Sequence, residues 1–169
     1  MRHHAARTGS LVGAVFGLVF VLVNAPSLPA ATVWTALGVV AFVVVVVLAV
    51  RSSVEAPEPG RGALRVYGAC VVGEVLAIVV GARLLTATDH ADLVLPWVVV
   101  VVGVHFGPFA RAFGVPVFAW LAVALVVTGL AAAAGVLGGW DEADRAGAVV
   151  AGFVLMAGSA AGLRDRVRV

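Results

Sequence analysis

Residues 30–50 read AATVWTALGVVAFVVVVVLAV, 21 positions without a charge or a proline. At about 1.5 Å per residue such a helix is roughly 31 Å long, the thickness of the hydrocarbon core of a bilayer. Apolar runs on either side of it predict further helices at about 9–25, 64–86, 93–110, 114–137 and 146–163. The expected fold is therefore all-α: one polytopic integral membrane domain over residues 1–169, built as a compact bundle of six transmembrane helices. The link Ala25-Pro26-Ser27-Leu28-Pro29 carries two prolines and no charge, so it predicts a tight turn. Residues 51–63 hold Pro57, Pro59, Gly60 and Gly62 and predict a longer, flexible, water-exposed loop.

Composition agrees with this reading and excludes several functions. Hydrophobic residues make up 63% of the 169 and charged residues only 12%, against about 25% charged in soluble domains. All 11 basic residues are arginine, so a Schiff-base lysine and a P-loop lysine are both impossible. Cys70 is the single cysteine, which rules out disulfides within the chain and four-cysteine metal sites. The helical segments contain one clearly internal histidine, short of the facing pair a bis-histidine haem requires. No cofactor or metal is expected, and Asp89-His90-Asp92 reads as a solvated turn more readily than as a ligand cluster.

The net charge of +2 is not a nucleic-acid signal once the arginines are located. Arg2, Arg7, Arg51, Arg61, Arg65, Arg111, Arg164, Arg166 and Arg168 fall on one side of a six-span topology, and Arg83 and Arg145 on the other. Positive residues are retained in the cytoplasm, so both termini are expected there, with the chain multi-pass in the plasma membrane. Helix 1 then reads as a retained span and not as a cleaved leader. Trp34 and Trp97 lie about four residues inside the opposite ends of helices 2 and 4, and Trp140 lies in the loop on that side, as an interfacial aromatic belt would place them.

Gly9, Gly13 and Gly17 repeat every fourth residue on helix 1, and helix 6 offers Gly158 and Gly162. Such strips admit a neighbouring backbone. Packing within the bundle is the first expectation, and a homodimer through these faces the second.

Glu74 sits about ten residues into helix 3, roughly 15 Å deep. A carboxylate at that depth costs several kcal/mol unless it is protonated, paired or hydrated, and intramembrane ionisable groups usually mark function. Arg83 lies roughly 180° away around the helix and should instead reach outward toward Asp89 or Asp92. His105, in Val102-Gly103-Val104-His105-Phe106-Gly107-Pro108, is the better partner. Its backbone is shallower by about 7 Å, but side chains lean toward their own helix N-terminus and helices 3 and 4 are antiparallel, so the two groups converge. Pro108 should kink helix 4 and free a carbonyl near residue 104. Glu74 and His105 are the expected catalytic pair, with Tyr67, Phe106, Trp120, Thr128, Asn24 and Arg111 as candidate substrate contacts.

The segment from Pro96-Trp97 to Phe109-Ala110, with Glu74 one helix earlier, resembles a group of small bacterial six-helix membrane proteins that carry a Gly-x-His-Phe-x-Pro segment. More loosely, a small bundle with an embedded acid is similar in architecture to the integral-membrane terpene cyclases, which use buried carboxyls as proton donors. That resemblance implies acid-catalysed isoprenoid cyclisation with Glu74 as donor and aromatic rings stabilising a cation. The alternatives that the residues allow are a proton-coupled small transporter or channel with a Glu74/His105 relay, and a non-catalytic scaffold subunit. The bilayer and a lipophilic small molecule are the expected partners.

Overall fold

The computed structural model describes residues 2–52 and 62–164. Arg61, Arg166, Arg168 and most of the loop expected to be flexible lie outside the described residues, as do the side chains of Arg2 and Arg164. Six helices follow one another: α1 (Arg2–Asn24), α2 (Ala31–Arg51), α3 (Ala63–Ala87), α4 (Val94–Phe113), α5 (Pro116–Leu137) and α6 (Ala143–Arg164). Each is long and apolar enough to cross a membrane. Single 3-10 turns at Ala25–Ser27 and Ala91–Leu93 close the first and third tight connections, and no strand occurs among the described residues.

The helix stops follow from backbone chemistry. Gly114 takes φ +62 and ends α4, and Pro116 then opens α5 in its first turn, where a missing N–H is harmless. Pro108 does not end α4, which runs on to Phe113; the glycine with positive φ is the stronger stop. Arg7 donates from Nε to the Ser52 carbonyl at 3.0 Å and from a terminal guanidinium nitrogen to the same oxygen. A cation thereby caps the C-terminal end of α2 and ties it to the start of α1.

The helix α6 is the centre of the bundle: more than half of its most apolar window is buried, and it packs on α1, α2, α4 and α5. One core cluster joins Ala14 and Val21 to Val45, Val149 and Met156; a second joins Val99 and Leu125 to Ala151 and Leu155. Backbones approach closely at glycines. A Cβ on Gly17 would stand 2.6 Å from the Gly152 carbonyl oxygen, and one on Gly152 would stand 2.5 Å from that of Gly17. Gly13 faces Ser159, Gly158 faces Leu121, and only Gly9 of the helix 1 strip has open space beside it. The strip is thus occupied inside the bundle, as packing within the chain requires.

One helix stands apart. No residue in the apolar window of α3 is buried, and α3 packs against α4.

Candidate functional site

That single seam between α3 and α4 carries the polar pair. On α4, Trp97, Val101, His105 and Phe109 recur every fourth residue and make one stripe. Opposite it on α3 run Tyr67, Cys70, Glu74, Ala77 and Gly81. Because the helices are antiparallel, low numbers on one face high numbers on the other, and three contacts follow in order along the seam.

At the Gly81 end, the Trp97 indole donates to the Ala77 carbonyl at 2.9 Å. Its ring occupies the space in which a Cβ on Gly81 would lie. In the middle, His105 Nδ1 stands 3.3 Å from Glu74 Oε1, with both side chains largely but not wholly covered. No hydrogen bond joins them, and Nδ1 is buried with no hydrogen-bond partner. At the far end Tyr67 stacks on Phe109, ring centres 5.5 Å apart and planes 21° from parallel.

An aromatic floor lies under the histidine. Phe109 meets the His105 ring edge-on at 4.9 Å, Phe106 lies 4.3 Å from it, and Phe118 of α5 touches both phenylalanines. These rings fix the imidazole by packing, with the Glu74 carboxyl beside it. The convergence expected from side-chain tilt is therefore present in the structure.

The structure gathers Glu74, His105, Tyr67 and Phe106 into one place, and it leaves four other candidates elsewhere. Trp120 is more than half exposed and lies about 200° around α5 from Phe118, so it faces away from the floor. Thr128 donates to the Ala124 carbonyl of its own helix at 2.8 Å, and its backbone lies toward Gly147 of α6. Asn24 is buried near the end of α1, donating to Phe20 O at 2.8 Å. Arg111 is exposed in the last turn of α4. Arg83 is exposed as well, and among the described residues no ion pair links it to Asp89 or Asp92.

Trp97 and Phe109 were within reach of sequence reading, since each continues the i, i+4 stripe through His105. The belt signal hid Trp97, because an interfacial tryptophan and a helix clamp occupy the same depth. Among the described residues no three His, Cys, Asp or Glu side chains come together in a way that could hold a metal ion. At the Asp89-His90-Asp92 turn, His90 Nδ1 instead lies 2.6 Å from the Thr88 carbonyl.

The clamp gives a direct prediction. Gly81→Ala should push the Trp97 ring off α3 and break its bond to Ala77, loosening the seam by about 1–3 kcal/mol, as expected for overpacking. In a background with Trp34, Trp120 and Trp140 changed to phenylalanine, Trp97 emission should shift on this substitution. An unchanged spectrum would mean that the ring does not depend on the gap at Gly81.

Set beside known proteins, the chain matches no family, no curated sequence and no solved structure, and its function rests on the residues of the chain itself.

Proposed function

We propose that the six helices span the plasma membrane with both termini in the cytoplasm, and that the protein binds a lipophilic small molecule at Glu74 and His105. The molecule reaches the pair sideways from the lipid, between α3 and α4. The observation that carries this is the 3.3 Å contact of an acid and an imidazole at the seam by which α3 joins the bundle. A purely structural pair would be expected in the middle of the packing, around α6. This one lies in the outlying interface, beside a half-exposed tyrosine and next to lipid-facing surface. Orientation is supported by nine of the 11 arginines falling on one side, and by Arg7 binding Ser52 across the same end of α1 and α2.

The finer reading is acid catalysis. Glu74 donates a proton to an alkene or epoxide of an isoprenoid, the ring closes on the resulting cation, and a proton returns to Glu74 or His105, so that the product is an isomer of the substrate. Phe106 and Phe109 supply ring faces near the developing positive charge. Conduction is less well served: between the pair and the Trp97 end, the seam offers Ala77, Ile78, Gly81 and Val101 and no titratable group. A scaffold role through the helix 1 glycines is weakened by α6, which already covers Gly13 and Gly17.

The binding reading is tested by purifying the full chain in nanodiscs and extracting it for mass spectrometry. A lipophilic species should be retained by the wild type and lost from the Glu74→Leu, His105→Leu double variant. Identical extracts from two equally well folded proteins would remove the reading.

A further inference from the structure

The seam also constrains the chemistry of what it takes up. We propose that the ligand is a neutral lipophilic alcohol whose hydroxyl bridges His105 Nδ1 and the Glu74 carboxyl; this rests on the reading of the seam as a lipophile site.

The two protein atoms are close, 3.3 Å apart, yet do not satisfy each other, and Nδ1 is buried without a partner. A buried polar atom left in that condition costs free energy that a ligand group can recover. An imidazole nitrogen is a donor or an acceptor according to its tautomer, and a carboxyl oxygen is one or the other according to its proton. A hydroxyl both donates and accepts through one oxygen. It can therefore accept from Nδ1–H while donating to a carboxylate, or accept from a protonated carboxyl while donating to the bare nitrogen.

Other head groups fit less well. A carbonyl or an ether only accepts, so it leaves one of the two protein groups unpaired in either arrangement. An ammonium only donates. A fatty carboxylate or a phosphate brings a second negative charge beside Glu74 at a depth where even one is expensive.

Two sides of the pair are filled. The Trp97 ring closes the seam at Gly81, and the Phe106, Phe109 and Phe118 cluster fills the α5 side. Tyr67 leaves a half-exposed flank, and a hydrocarbon tail leaves along that ring toward lipid.

The test holds the tail constant and varies the head. Saturable binding of farnesol, farnesyl methyl ether, farnesal and farnesoic acid to the full chain in nanodiscs is measured as a mole fraction of the bilayer, which removes partitioning, and repeated with the same four head groups on a hexadecyl chain. Farnesol or hexadecanol should bind at least about tenfold more tightly than its ether or aldehyde, the difference made by one lost hydrogen bond to a buried group, and the acid should bind more weakly than the alcohol. Glu74→Gln keeps a donor and an acceptor, so it should retain the preference for alcohol. Glu74→Leu and His105→Phe should each abolish it.

Equal binding of alcohol and ether, or tightest binding of the acid, overturns the alcohol assignment while leaving the lipophile reading intact, provided that Glu74→Leu still weakens binding. Absence of saturable binding for all eight probes, or binding indifferent to both Glu74→Leu and His105→Phe, overturns the two together.

Discussion

Gly152→Leu should drive α1 and α6 apart and lower the stability of the bundle by about 3 kcal/mol or more, at the upper end of overpacking costs. The reason is that the obstacle is backbone. A Cβ on residue 152 would lie 2.5 Å from the Gly17 carbonyl oxygen, and the reciprocal Cβ on residue 17 would lie 2.6 Å from the Gly152 carbonyl oxygen. A side chain in the way can change rotamer; a helical carbonyl cannot leave its own hydrogen bond cheaply. The two helices would have to separate, uncovering Val21 and Met156, which are now buried in the same cluster. Unfolding in mixed micelles by increasing SDS, followed by circular dichroism, reads the loss. Gly9→Leu is the matched control, because nothing lies within 4 Å of a Cβ there, and it should change stability by less than about 0.5 kcal/mol. Equal midpoints for the two variants would show that the close approach does not hold the bundle together.

Glu74→Gln should reduce turnover of an epoxidised isoprenoid alcohol by at least about 10³-fold, within the range for loss of a general acid. Glutamine matches glutamate in size and can still hydrogen-bond, but its amide has no proton acidic enough to open an epoxide. Binding should persist while product formation disappears, a separation that removal of the whole side chain would not provide. Gas chromatography with mass detection would follow an isomeric product of unchanged mass. Full turnover by the glutamine variant would exclude Glu74 as the proton donor and leave only a role in binding.

The helices were readable because their ends are written in residues with strong local consequences: Pro26 and Pro29 stop α1, Arg51 ends α2, and charges bracket the other spans. The boundary that moved most at a C-terminal end was that of α4, expected at residue 110 and found at Phe113. Pro108 removes one hydrogen bond but is compatible with the helical φ, whereas Gly114 adopts a backbone angle that breaks the helix. The acid–imidazole contact was readable for a different reason. Depth and side-chain tilt are geometric properties of a single helix, and antiparallel neighbours convert them into a distance.

What could not be read was rotation about each helix axis relative to helices distant in sequence. Trp120 and Thr128 were expected around the polar pair, yet the face of α5 that meets α4 is the one with Phe118. The isolation of α3 has the same origin. Its composition resembles that of its neighbours, and nothing local in it tells that α6 and not α3 will occupy the middle.

The reciprocal glycines of α1 and α6 also bear on the order of assembly. A close backbone pairing joins α1 to α6, so α1 gains this neighbour only after the four intervening helices have been made. Closure of the bundle is then a late, long-range event in biogenesis, and truncation before α6 would leave the glycine strip of α1 uncovered.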